Sequence, residues 1–266
     1  MDKGCAHRPP ALIDALAHGL RSARGDLVAV FDADFEPGED FLERTTSLMA
    51  PDVAAVQARW GHINRDQSGL TRAQALALDG YFIVDQTARS RAGMFLVFNG
   101  SGGIWRRAAI DQAGGWQGDT LAEDTDLSFR AQLAGWRVVF LPDIAIPAEL
   151  PPTLDAFRRQ QRRWATGTTQ LLLKLGRPLL ASPHRPLVRA HALLTLGGHL
   201  MQPLTLAARK LCWAVVGPLC QPDRRQSLQR QLGLSEIKLG IRSLRQTSDR
   251  PFSLPHVQFL IQVPSD

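Results

Sequence analysis

The stretch Asp26 to Phe31 (DLVAVF), closed at once by Asp32-Ala33-Asp34 and then Pro37-Gly38, constrains the fold more than any other feature of this chain. A short, nearly unbroken apolar run reads as a strand buried on both faces. A helix over Glu39–Met49, broken before Pro51, and a second strand over Val53–Arg59 follow it. This strand–helix–strand order predicts an α/β fold in which helices cover a parallel sheet.

The pattern continues downstream. Residues 11–23 place Leu12, Ala15, Leu16 and Leu20 at helical spacing, and a long helical stretch runs from Thr71 to Arg91. Met94–Phe98 reads as a strand, and Asn99-Gly100-Ser101-Gly102-Gly103 as a loop that lets backbone approach a ligand or a neighbour. Two helices follow, Arg106–Ala113 and Asp126–Gly135, each stopped by glycine. Trp136–Leu141 is a strand ended by Pro142. The proline-rich stretch Pro147–Pro152 then leads into a basic helix from Leu154 to about Leu175.

Composition excludes several classes. A chain of 266 residues, 44% hydrophobic and 21% charged, can bury a full core, so it is neither disordered nor a disulfide mini-protein. Its three cysteines, Cys5, Cys212 and Cys220, form no CxxC pair, and the seven histidines form no zinc-type pair. Met1–Pro10 is not followed by the apolar run of a secretory signal.

Charge divides the chain. Residues 1–150 hold 14 Lys and Arg against 20 Asp and Glu, whereas residues 151–266 hold 17 against 5. The basic half carries few aromatic residues after Trp164 (Trp213, Phe252, Phe259), so it lacks stacking platforms for nucleic acid. Ala190–Ala208 has no charged residue and is just long enough to span a bilayer. Its Gly, His, Gln and Pro content equally fits a soluble helical hairpin.

Three clusters carry chemistry. Asp32 and Asp34 stand at the carboxyl end of a buried strand, where ligands of open α/β sheets sit. Two carboxylates there can hold a hard cation that neutralises a diphosphate, or can simply close the strand at a solvated turn. Glu123, Asp124 and Asp126 crowd the start of a helix, either as ordinary N-terminal acids or with one acting as general base. Gln160, Arg163 and Trp164 lie on the basic helix. Arg can clamp a phosphate, Gln can bond a hydroxyl and Trp can stack on a sugar, or the set can be a solvated face with Trp164 as its anchor.

Order and spacing then decide. With FDADFEPGEDFL, FNGSGGIWRRAAIDQAGGW, DTLAEDTDLSFRAQLAGWRV and QQRRWATG in succession, residues 20–175 closely resemble family 2 glycosyltransferases of the processive, cellulose-synthase-like type. The resemblance implies a GT-A-like α/β sheet covered by helices, here lacking its first strands, plus a C-terminal helical segment. It implies transfer of a sugar from a nucleotide-sugar donor (a UDP-sugar) to a glycan or lipid acceptor with inversion. Asp32 and Asp34 would hold Mg²⁺ or Mn²⁺ and, with Arg163, the donor diphosphate. Asp124 would be the base and Glu123 its support. Asn99, Gly100, Gln160 and Trp164 would face the acceptor. Such enzymes work at the inner or plasma membrane with a cytoplasmic site.

The expected division is a partial transferase domain over 1–175, an interfacial or transmembrane segment over 176–220 and a basic tail over 221–266. The missing upstream strand motivates two further expectations: a partner chain that completes the nucleotide site, or an inactive homologue serving as a binding module. The remaining residues read blandly. His62 and His184 are expected at the surface or in loops, and Trp60, Trp105, Trp116 and Trp136 in packing.

Overall fold

A four-stranded sheet organises the computed structural model, which describes residues 10–201, 204–208 and 210. Helix α1 (Pro10–Ser22) precedes β1 (Leu27–Val30), α2 (Phe41–Thr46) and β2 (Val53–His62). Next come α3 (Gly69–Asp79), a π-helical segment (Gly80–Gln86) and α4 (Thr87–Arg91), end to end. Then follow β3 (Gly103–Arg106), α5 (Arg107–Gln112), α6 (Glu123–Leu133), β4 (Arg137–Ala148), α7 (Leu154–Ala181) and α8 (Pro186–Leu196). The chain divides into two units, residues 1–206 and 207–266, and all these elements belong to the first.

The strand order is β1-β3-β2-β4. β1 and β2 do not pair with each other. β3 lies between them and runs antiparallel to both, while β4 joins β2 in parallel. The sheet is therefore mixed rather than parallel. The missed strand is β3, whose Gly103 permits it: a Cβ there would run into the Val56 carbonyl oxygen and lie 2.6 Å from the Phe98 ring. Only a residue without a side chain fits between the two neighbours.

Both faces are covered over β2, whose apolar start is fully buried. β1 departs from expectation: it lies at the edge of the sheet, none of its residues is fully buried and Ala29 is exposed, so its apolar run does not mark burial on both faces. Ala54, Ala55, Trp105, Val138 and Phe140 pack with Phe82, Phe98 and Leu127 on one side. Val53, Val56, Ile104, Ile144 and Ile146 pack with Phe41 on the other. A third cluster joins Phe95, Val97 and Phe129 to Leu171, Leu175 and Leu179 of α7 and to Val188, Ala192 and Leu196 of α8.

Met94–Phe98 is not a strand. Side chains take the place of a neighbouring strand: Leu96 N–H donates to Gln132 Oε1 (2.9 Å), Phe98 N–H to Ser128 Oγ (3.3 Å), and Gln86 Nε2 donates to the Val97 carbonyl (2.8 Å). A buried backbone must find partners, and three buried polar side chains supply them here.

β4 runs through Pro142 instead of stopping there. It is an edge strand, and its register jumps from Ala58↔Leu141 to Arg59↔Ala145, so Pro142 sits in a bulge where no ladder hydrogen bond is lost. α7 continues past Leu175 to Ala181 and carries Pro178 inside it. In the Ala190–Ala208 region α8 ends before Gly197, and part of the stretch lies outside the described residues. Among the described residues no helix is long and apolar enough to cross a membrane.

Candidate active site

The carboxyl ends of β1, β2 and β4 open into a cleft, and nine residues singled out from sequence all line it: Asp32, Asp34, Asn99, Gly100, Glu123, Asp124, Gln160, Arg163 and Trp164. They come from four separate stretches of chain, each held by identifiable contacts.

The Asp32–Asp34 turn leaves the end of β1. Its backbone is tied to the next stretch, since Asp32 N–H donates to Ser101 Oγ at 2.7 Å and Phe35 N–H closes the turn onto the Asp32 carbonyl at 3.1 Å. Glu149 N–H approaches Asp34 Oδ2 at 3.4 Å. Both aspartates are exposed to the cleft.

The Asn99–Gly103 loop hangs on buried Gln57. Asn99 N–H donates to Gln57 Oε1 (2.8 Å), and Gln57 Nε2 donates to the carbonyls of Ser101 (3.0 Å) and Gly102 (3.2 Å). Gly100 has φ +83°, and a Cβ on it would stand 2.7 Å from Asp124 Oδ2. Backbone conformation and the carboxylate both require glycine at this position.

Glu123 and Asp124 open α6. Glu123 is buried, and Asp124 Oδ1 accepts the Thr125 N–H at 2.6 Å, its carboxylate sitting at the positive end of the helix. Behind them Asp126 is fully buried and neutralised by Arg130 (2.7 Å) and Lys174 (3.0 Å). Lys174 lies on α7, so this ion pair ties α6 to the helix that carries the basic motif.

On α7 Gln160, Arg163 and Trp164 follow i, i+3, i+4 spacing and share one face. Farther along, Gln170 Oε1 accepts the Leu121 N–H at 2.9 Å. At buried Gly167 a Cβ would meet Ala122 Cβ at 2.8 Å and the Leu121–Ala122 backbone at 3.0 Å. The helix therefore docks backbone to backbone against the residues that lead into Glu123-Asp124.

The cleft also holds Trp60, His62 and Glu149, which the sequence did not mark as site residues. β2 runs to His62 rather than ending at Arg59, and those extra residues reach the carboxyl end of the sheet, where ligands bind. A longer reading of the strand would have found the first two. Glu149 lies beyond β4 in no recognisable motif. Trp60 packs edge-on against Phe35 (5.4 Å) and donates its indole N–H to the Ser101 carbonyl at 3.1 Å. The four tryptophans otherwise behave as packing residues: Trp105 is fully buried, and Trp116 and Trp136 flank the same cluster.

His62 departs from expectation. Its ring is 4% exposed and 3.2 Å from Asp79, which also binds Arg65 (3.2 Å) and Arg59 (3.8 Å). Burial lowers its pKa below the usual 6.5, with Asp79 opposing in part. His191 and His199 shift the same way, again chiefly by burial. The unfolded chain thus binds protons near pH 6.5 that the native state refuses. Stability is complete above that pH and falls as pH drops below it. Melting temperatures measured from about pH 7.5 down to about pH 5 should decline, and less steeply in His62→Gln. Identical slopes in parent and variant would remove His62 from this account.

The sequence profile of glycosyl transferase family group 2 matches residues 27–222, most of the chain and every residue of the cleft named above except Leu16, which also lines it. The chain belongs to that family. Among curated relatives, probable glucomannan 4-beta-mannosyltransferase 9 of Oryza sativa subsp. japonica is 44% identical over 177 residues, covering 65% of this chain and 33% of its own length. Glucomannan 4-beta-mannosyltransferase 2 of Arabidopsis thaliana is 45% identical over 166 residues, covering 60% of this chain and 31% of its own. The chain thus spans about a third of the length of the curated relatives it matches. Among solved structures, the mannosyltransferase PcManGT from Pyrobaculum calidifontis, in complex with GDP-Man and Mn2+, is 22% identical with a TM-score of 0.49. That match covers 82% of this chain and 63% of the other.

Proposed function

We propose that this family 2 chain transfers a hexosyl unit, mannosyl before others, from a nucleoside diphosphate sugar to a glycan hydroxyl, with inversion at the anomeric carbon. One observation carries the reading. Two aspartates, an acidic helix start and a Gln–Arg–Trp face come from distant parts of the chain and meet in a single cleft. The names of the curated relatives favour mannose as the transferred sugar and a β-linked glycan as the acceptor.

The donor set suits a divalent cation shared with substrate. Among the described residues no cluster of three or more His, Cys, Asp or Glu is placed to hold a metal ion. Asp32 and Asp34 form a pair, and Mg²⁺ is commonly held by one or two carboxylates together with substrate phosphates. Bound there, the cation would supply charge neutralisation for the departing diphosphate. Arg163 would add a bidentate contact to the same oxygens. Asp124 accepts the acceptor hydroxyl's proton as its oxygen attacks the anomeric carbon, and Glu123 beneath it helps set the position of the helix start. Trp164 and Gln160 hold the acceptor sugar by ring contact and a hydrogen bond.

Membrane contact belongs to the same proposal. Leu173 and Leu180 of α7 and Leu187 and Leu194 of α8 are all more than half exposed, and the same helices and their connection carry Arg177, Arg185 and Arg189. Exposed leucines together with arginine on these helices would suit an anionic bilayer surface.

The test is release of nucleoside diphosphate by detergent-solubilised protein from GDP-mannose, GDP-glucose and UDP-glucose, with Mg²⁺ or Mn²⁺ and after chelation. Release from one donor that stops on chelation, and falls by about 10²-fold or more in Asp34→Asn, is the expected result. Release from none of them would favour the inactive binding module, and release indifferent to chelation would remove the metal from the reading.

A further inference from the structure

Asn99 is tied down in the cleft at its backbone and at both ends of its side chain. Its backbone N–H is held by Gln57, its Nδ2 donates to Tyr81 Oη at 3.2 Å, and its Oδ1 accepts from Gln86 Nε2 at 3.1 Å. The amide orientations follow from one fixed point. Gln86 Nε2 also donates to the Val97 carbonyl at 2.8 Å, and a carbonyl can only accept. The Gln86 nitrogen therefore faces Asn99, which turns the Asn99 oxygen toward Gln86 and its nitrogen toward Tyr81.

Tyr81 and Gln86 are five residues apart. On an α-helix that spacing separates two side chains by about 140° around the axis, so they could not both reach one amide. They lie instead in the π-helical segment Gly80–Gln86, whose i→i+5 pattern brings such residues to the same side. π-helical turns are rare and cluster at functional sites. Tyr81, the chain's only tyrosine, is pushed up to a pKa of about 12 by burial, which outweighs the opposing Asn99 hydrogen bond and Arg89 charge, so its hydroxyl stays neutral.

The geometry points to Tyr81 and Gln86 as positioning residues that lock the Asn99 carboxamide, through the π-helical segment, in one orientation for an acceptor sugar. The inference rests on the glycosyl transfer proposed above. An amide so held has one N–H and one carbonyl lone pair left, a fixed donor–acceptor pair that matches two neighbouring hydroxyls of a pyranose. Only acceptor sugars that present that hydroxyl pair in register would be placed for attack.

The experiment uses the full detergent-solubilised chain and measures nucleoside diphosphate release with and without a β-linked mannan oligosaccharide. Tyr81→Phe keeps the ring that packs edge-on against Phe82 at 5.0 Å. It should lower acceptor-stimulated release by about tenfold and leave acceptor-free release within about twofold. Gln86→Met should show the same split. Adding Tyr81→Phe to Asn99→Ala should cost nothing beyond Asn99→Ala, because both act through one amide. Unchanged acceptor stimulation in Tyr81→Phe, a parallel fall of both rates, or independent effects in the double variant would each overturn the inference. A parent with no release at all instead sinks the proposed activity. The lock is then read by NMR of the Asn99 side-chain amide protons, which should be protected from exchange in the parent and released in Tyr81→Phe. Equal exchange in both overturns it.

Discussion

Asp124→Asn is expected to lower sugar transfer by about 10²–10⁴-fold, the range that a positioned general base contributes. The substitution keeps the side chain's size. It also keeps an oxygen to accept the Thr125 N–H, which Asp124 Oδ1 does at 2.6 Å. What it removes is the capacity to take up the acceptor's proton, and a sugar hydroxyl is too weak a nucleophile to attack without that help. Donor binding should survive, because Asp32, Asp34 and Arg163 lie on other elements. The decisive comparison is turnover at saturating donor together with donor affinity. A variant that binds donor normally but transfers at the parent rate would mean that another group accepts the proton.

The surroundings of Asp124 favour this outcome. Gly100 presents bare backbone to its carboxylate, and a single methyl group there would stand 2.7 Å from Oδ2. The side of the cleft facing Asp124 is thus kept open by a residue that also needs its positive φ of 83°. Substituting Gly100 would obstruct the carboxylate and strain the loop together.

Much of this arrangement was legible in the sequence. The DLVAVF run, the glycine stops after Ala113 and Ala134, and the i, i+3, i+4 spacing of Gln160, Arg163 and Trp164 all report local physics, and the elements appeared near where they were expected. Motif order then brought nine residues to one cleft. What was not legible depends on distant partners. Gly103–Ile104–Trp105–Arg106 has no alternation to mark it as a strand, and it becomes one because β1 and β2 leave a gap that only Gly103 can enter. Met94–Phe98 has strand composition, yet Gln86, Ser128 and Gln132 take the hydrogen bonds that a ladder would have made. The π-helical segment lies inside a continuous helical pattern, where a one-residue change of period leaves no trace in hydrophobicity. His62 looked like a surface histidine because its partner Asp79 lies 17 residues away on another element.

Gly167→Ala tests how strongly helix α7 is coupled to the acidic helix start, and two effects of opposite sign meet there. In an exposed helix interior, alanine in place of glycine stabilises by about 1 kcal/mol. At Gly167 the added Cβ would lie 2.8 Å from Ala122 Cβ and 3.0 Å from the Leu121–Ala122 backbone, and a backbone cannot swing aside as a flexible side chain can. Overpacking of this kind costs about 1–3 kcal/mol, so destabilisation should win by about 1 kcal/mol, and by more in Gly167→Val. The larger consequence is for turnover. Any shift that relieves the contact moves Gln160, Arg163 and Trp164 relative to Glu123 and Asp124, and a displacement near 1 Å can cost about 10²-fold in rate. Denaturant melts and nucleoside diphosphate release on the same preparations separate the two effects. An alanine variant more stable than the parent would show that the helix and the loop are not in firm contact. A destabilised variant with full activity would show that this contact supports the fold without setting the geometry of the cleft.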